Sequence, residues 1–234
     1  MAFTFFSTFM IMKKKMLLLL LFCFSISFYG QNLPKGFVYL SNIDASIKSE
    51  MRYFSHNNFI GKPIDGYKKA TIIISKPTAI ALKNVQQKLA QFNLSLKIFD
   101  GYRPQQAVDH FVRWAKMLND TLMKKKYYPS VSKNQLFKLG YIASKSGHTR
   151  GSTVDLTIID ITTGRELDMG SMYDFFGNKS HVLHKNVTTK QKANRLLLRN
   201  LMMSNGFKPY KFEWWHFTLK NEPFSKTYFN FPIK

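Results

Sequence analysis

The chain of 234 residues holds a single cysteine, only 13 acidic residues against 35 basic ones, 8 prolines and 12 glycines. The lone cysteine, Cys23, lies in an apolar N-terminal run, so a disulfide framework is excluded. Any transition-metal site beyond that run must therefore draw its ligands from His and carboxylate side chains. Proline and glycine are too sparse for a collagen or a low-complexity chain. No apolar stretch reaches the roughly 20 residues that a membrane-spanning helix needs, and no repeat or Gly/Ser linker divides the sequence. The shortage of acid leaves a formal charge of +22. Such a charge suits an anionic partner, but the lysines are scattered and form no Arg/aromatic stripe, so no nucleic-acid partner is expected.

What is present is the apolar supply of a globular protein: 45% hydrophobic residues, with 22 Phe and 11 Tyr. At the N-terminus, Lys13-Lys14-Lys15 precedes the run Met16 to Phe24, the charged and apolar regions of a secretory signal peptide. Gly30 allows cleavage before Gln31, preferred over a site before Phe28. Residues 1–30 are thus expected to be a signal peptide, with Met12 a better start than Met1. Removing it takes three lysines and leaves +19. Residues 31–234 then form one domain with no membrane span, exported across the inner membrane to the periplasm.

Within that domain, Ala70–Ser75, Leu94–Phe99, Val154–Ile161 and Trp214–Leu219 read as strands. Leu94–Phe99 alternates as a half-buried strand would. Thr162-Thr163-Gly164 resembles a hairpin turn. Pro77 opens a helix to about residue 92 with Ile80, Leu82, Val85, Leu89 and Phe92 on its apolar side. A second starts at Pro104 with Ala107, Phe111, Trp114 and Leu118. Residues 119–140 read as a loop with a short helix. Thr188-Thr189-Lys190-Gln191 is a capping-box signature, and Ala193, Leu196, Leu197 and Leu201 follow at helical spacing before Asn205-Gly206. Strands and helices do not alternate strictly, which predicts an α+β domain with a central antiparallel or mixed sheet flanked by helices.

Two of the six histidines stand in contexts that suit a metal. His148 precedes Gly151 and Asp155. A spacing of seven would put His148 and Asp155 on opposite faces of a continuous strand, and the glycine turn removes that objection. His216 closes Glu213-Trp214-Trp215-His216, where a spacing of three needs a bend if both ends are to face one site. Two His and one Asp with a fourth position open to water is the arrangement of catalytic zinc. Such zinc acidifies its water to a pKa of about 7, and a carboxylate such as Glu213 can accept the proton. Arg103, in Asp100-Gly-Tyr-Arg-Pro104, offers a cation for a developing oxyanion. Each residue also has an ordinary structural reading: hydrogen-bonded core histidines, a turn-capping Asp155, an ion-paired Arg103. His181 and His184 share a tempting spacing without a supporting carboxylate or glycine, and His110 reads as a packing or capping residue.

Taken together, Ser146-x-His148-x-x-Gly151-x-x-x-Asp155 and Glu213-Trp-Trp-His216 resemble the D-alanyl-D-alanine dipeptidase family, the VanX-like branch of the zinc D,D-peptidases. Met51-Arg-Tyr53, Asn58 to Tyr67, Asp100 to Pro104, Ala107 to Phe111, Met169-Gly-Ser171 with Asp174, and Phe229-x-Phe231-Pro232 extend the resemblance over residues 35–234. It implies a hedgehog/D,D-peptidase-like fold and one zinc ion per chain on His148, Asp155 and His216. It further implies Glu213 as catalytic base and Arg103 as the stabiliser of the tetrahedral intermediate. Tyr53, Ser146 and Asp174 match substrate-contacting positions, Asp174 holding the ammonium of a small D,D-dipeptide. The implied reaction is hydrolysis of D-alanyl-D-alanine to two D-alanines. The alternatives are a D,D-carboxypeptidase acting on peptidoglycan stems and a non-catalytic wall-binding module stapled by zinc.

Overall fold

The β-branched run after Ser152 forms strand β5 (Thr153–Asp160), in which every residue but Asp160 is buried. A strand covered on both faces belongs at the centre of a layered fold. In the computed structural model, which describes residues 33–234, β5 pairs antiparallel with β4 (Leu94–Asp100) on one side and β7 (Glu213–Leu219) on the other. Strand β6 (Phe207–Tyr210) adds antiparallel to β7, and the short β2 (Lys48–Ser49) adds parallel to β4. The sheet is therefore mixed, in the order β2-β4-β5-β7-β6. A separate antiparallel pair joins β1 (Phe37–Tyr39) to β3 (Ile73–Ser75). The expected signal peptide lies outside the described residues. Among the described residues no helix is long and apolar enough to cross a membrane.

Helix α1 (Lys76–Ala90) carries Pro77 in its first turn, where the missing N–H costs nothing, and packs against β4. Its buried side is Ala79, Leu82, Val85 and Leu89. Ile80, expected on that side, is instead 47% exposed, because at 100° per residue it lies opposite Leu82, Val85 and Leu89. Phe92, beyond the helix end, is also exposed. Helix α2 (Gln105–Lys116) buries Ala107, Val108, Phe111 and Trp114, and ends before Leu118, which faces solvent. The loosely patterned stretch holds the short α3 (Lys124–Tyr127) and a 3-10 turn at Lys133–Gln135. Strand β4 departs from expectation too: Ser95, Leu96, Ile98, Phe99 and Asp100 are all buried, so both its faces are covered.

Helix α4 (Thr189–Ser204) starts with the expected capping box, Thr188 and Gln191 exchanging side-chain and backbone hydrogen bonds. Its buried side is not the leucine set. Arg195, Leu198 and Met202 face inward at spacings of three and four, whereas Leu197 is exposed and Ala193 faces away from the core. Arg195 is inside because its guanidinium donates to three carbonyls, those of Met169, Lys179 and His181, each at 2.6 Å. It thereby ties the loop of residues 169–181 to α4. Replacing Arg195 with Ala orphans those carbonyls and leaves a cavity, which should cost about 3–5 kcal/mol. Urea unfolding checks this; a loss below about 1 kcal/mol would mean that the loop is held by other contacts.

Candidate active site

Three neighbouring strands bring the polar residues of the site into one row. In the β5–β7 ladder Asp155 stands directly opposite His216, so their side chains leave the same face of the sheet. In the β4–β5 ladder an irregularity after Ile98 puts Asp100 opposite Asp155. His148 reaches the row from a 3-10 turn at Gly147–Arg150, closed by Gly151 at φ +80°. A Cβ on Gly151 would lie 2.3 Å from the Phe37 ring, so the turn between His148 and Asp155 requires glycine both for conformation and for space.

His148, Asp155 and His216 offer ligand atoms that all lie within 4.8 Å of one another, the one such group among the described residues. His148 Nε2 is 3.3 Å from His216 Nδ1 and 3.3 Å from Asp155 Oδ2, and His216 Nδ1 is 3.1 Å from Asp155 Oδ1. His148 Nδ1 lies 2.8 Å from the Gly101 carbonyl, an oxygen that can only accept. Nδ1 therefore carries a hydrogen, and Nε2 points into the cluster. Asp155 Oδ2 accepts from Tyr173 and Arg103, while Oδ1 is buried with no hydrogen bond at all. Burial works against ionisation of Asp155, but His148 and His216 outweigh it and hold the carboxyl well below the usual carboxylate range. Converging imidazole nitrogens, a buried ionised carboxylate and an orphaned oxygen fit a divalent cation, and a two-His, one-carboxylate set suits zinc.

Glu213 stands at the edge of this cluster, its Oε2 3.4 Å from His216 Nδ1 and its side chain 21% exposed. The bend demanded by its spacing to His216 is a ladder irregularity. Pro209 pairs with Phe217, but Tyr210 pairs with Glu213, so residues 214–216 bow out between them. Burial beside the cluster pushes the Glu213 carboxyl up to about 7.

Arg103 Nε donates to Asp100 Oδ2 at 2.8 Å, and Nη2 lies 3.5 Å from Asp155 Oδ2. Its guanidinium also sits 5.0 Å from the Tyr53 ring centroid and 5.2 Å from that of Phe111. Asp100, fully buried, accepts from the Tyr67 hydroxyl at 2.8 Å and is 3.5 Å from His148 Nδ1, so one carboxylate orients both Arg103 and His148.

Tyr53 and Asp174 come together from positions 121 residues apart, the Tyr53 hydroxyl oxygen lying 2.8 Å from Asp174 Oδ2. Asp174 holds φ +59°, strained for a residue with a Cβ and sustained by its surroundings. Ser146 Oγ accepts from the His148 N–H at 3.3 Å and so caps the turn that presents the imidazole. All eight residues singled out by the sequence line one cavity of about 200 Å³, with Phe176, Tyr210 and Trp215 among its other walls. Asp100 and Tyr173 carry no local signal of a role; Asp100 is marked only by its place in the motif before Arg103. His181 and His184 lie in a different surface pocket, and His110 accepts a hydrogen bond from the Asp65 N–H.

With that geometry in view, comparison with known proteins identifies the family. The model of the D-ala-D-ala dipeptidase peptidases matches residues 34–234. A D-alanyl-D-alanine dipeptidase of Enterococcus faecalis is 43% identical over 201 residues, covering 86% of this chain and 100% of the relative. That of Streptomyces coelicolor is 41% identical, covering 84% and 98%, and that of Escherichia coli 33% identical, covering 77% and 82%. Likeness to solved structures is more distant: an LD-carboxypeptidase that recognises peptidoglycan is 17% identical at a TM-score of 0.42, covering 82% of this chain and 72% of its own. A match to nearly all of the described residues, with identities above 40%, leaves one conclusion: the chain is an enzyme of the D-ala-D-ala dipeptidase family of peptidases.

Proposed function

We propose that this enzyme hydrolyses D-alanyl-D-alanine to two D-alanines, with one zinc ion per chain held by His148, Asp155 and His216. The observation that carries the reading is the convergence of those three ligand atoms beside a carboxylate that is not part of the set, Glu213, in a small cavity. Zinc bound there supplies Lewis acidity and makes water easier to deprotonate. Glu213 acts as the base that takes the proton from the attacking water, and then as the acid that hands it to the leaving amine. Arg103 aims its N–H groups at the oxyanion that develops on the scissile carbonyl. Asp174, with Tyr53, receives the dipeptide's ammonium, and Ser146 keeps His148 in place and lines the wall. A longer stem peptide brings an amide, not an ammonium, to Asp174, which favours the free dipeptide. Export to the periplasm, proposed from the lysine-then-leucine N-terminus, would place the enzyme near its wall-derived substrate.

Metal removal tests the reading. Zinc-loaded protein should release two D-alanines per dipeptide, lose that activity to a chelator and regain it with one equivalent of zinc. Zinc at about 100 times its dissociation constant should also stabilise the fold by about 2.7 kcal/mol, seen as a higher Tm than the chelated protein has. Full activity in metal-free protein would refute the zinc assignment, and activity confined to stem pentapeptides would favour a carboxypeptidase.

A further inference from the structure

Tyr173 is 2% exposed, its ring stacked on Phe99 with centroids 4.5 Å apart and set edge-on to Trp215. Its hydroxyl lies 3.1 Å from Asp155 Oδ2 and 3.1 Å from the Tyr53 hydroxyl, which in turn lies 2.8 Å from Asp174 Oδ2. Three short oxygen–oxygen contacts therefore join the carboxylate of the cation site to the carboxylate assigned to the substrate's ammonium. Two hydroxyls own only two hydrogens. With both carboxylates ionised, one of the three contacts has no hydrogen and sets lone pair against lone pair in a buried place. A third hydrogen removes the conflict. Asp155 is a poor place for it, since Arg103 and two imidazoles adjoin that carboxylate. Asp174 is the better place. The titratable and charged groups facing it are Tyr53, the neighbouring Tyr173, Tyr127 on α3, Asp155 on β5, Glu213 on β7 and Arg103, and the guanidinium is already paired with Asp100. Burial, then the charge of Asp155, raises the Asp174 carboxyl well above its ordinary value.

We propose that Tyr173 is a positioning residue that couples Asp155 to Tyr53 and Asp174, and that Asp174 keeps a proton until the ammonium of the substrate displaces it to solvent. Hydrogens then run one way along the chain, from Asp174 to Tyr53, to Tyr173, to Asp155. On binding, the Asp174 O–H bond breaks, the proton leaves to buffer, and the incoming R–NH3+ becomes the donor to the freed carboxylate. One positive charge enters and one departs. The proposal rests on the reading of Asp174 as the ammonium site.

The test is calorimetric titration of D-alanyl-D-alanine into zinc-loaded Glu213→Gln protein at pH 7, in buffers of different ionisation enthalpy. Glu213→Gln slows turnover about 10²–10⁴-fold, so that binding is read ahead of hydrolysis, and removes the Glu213 proton from the count. About one proton should be released per dipeptide bound, from the hydrogen count above. In the same background Tyr173→Phe should at least halve that release, because Tyr53 can then donate to ionised Asp174 without conflict. With Glu213 intact, Tyr173→Phe should raise KM about 3–10-fold, as expected for a lost hydrogen bond, and weaken zinc binding about tenfold. The Phe ring keeps its stacking, so the fold is preserved, and a merely structural role would leave the proton count untouched. Binding without proton release, or release unchanged by Tyr173→Phe, would overturn the proposal. Failure of the dipeptide to bind at all would instead overturn the underlying reading of the site, and this proposal with it.

Discussion

Replacing Glu213 with Gln should cut kcat by about 10²–10⁴-fold, the range for loss of a general acid–base group, while zinc content stays at one per chain. Gln keeps the shape of the side chain and sits outside the ligand set, so a fall in metal content would mean that Glu213 is a ligand and not the base. The acid–base role has a pH signature with a defined sign. Burial raises the Glu213 carboxyl to about 7. The useful form is ionised, and it is lost as pH falls through that value. A cation on His216 and Asp155 favours the ionised form and draws the midpoint down. The kcat/KM profile should therefore decline on its acid side with a midpoint at or below about 7, and Glu213→Gln should abolish that limb. Near-normal turnover in the variant would end the mechanism as written.

Arg103 carries the second large effect, with a double signature. Arg103→Ala removes the donor to the oxyanion, worth about 10²–10³-fold in kcat where single donors have been deleted from comparable sites. It also strands Asp100, a fully buried carboxylate whose remaining hydrogen-bond donor is the Tyr67 hydroxyl, and stranding one partner of a buried pair costs about 3–5 kcal/mol. Combining Arg103→Ala with Asp100→Asn should recover much of that stability without recovering the rate, which separates the two roles. Arg103→Lys keeps the charge but not the fork that reaches Asp100 and Asp155 together, so its kcat should fall between those of Ala and wild type. Wild-type kcat in a folded Arg103→Ala protein would remove Arg103 from the chemistry.

Much of this site was legible from local chemistry. With its one cysteine in the N-terminal apolar run, a metal had to be met by imidazole and carboxylate, and Gly151 marked the turn that lets His148 and Asp155 converge. The capping box at Thr188 and the strand around Asp155 followed from short-range pattern, since caps and β-branched runs act over a few residues. Helix faces were less legible where polar residues have buried partners. Arg195 faces the core because three carbonyls await it there, and those carbonyls come from a distant loop. An apolar count therefore chose the wrong side of α4.

By itself, then, the sequence determined which groups could hold a cation and move a proton, because residue type dictates ligand chemistry and local turns dictate which neighbours can meet. Only the tertiary structure decided that Asp155 faces His216 across a ladder, that a slip after Ile98 sets Asp100 beside them, and that Tyr173 bridges Asp155 to Tyr53. Strand register and the encounter of loops remote along the chain depend on the packing of the whole core. A slip of one residue in pairing turns each side chain to the other face of the sheet, so no local pattern can stand in for that packing.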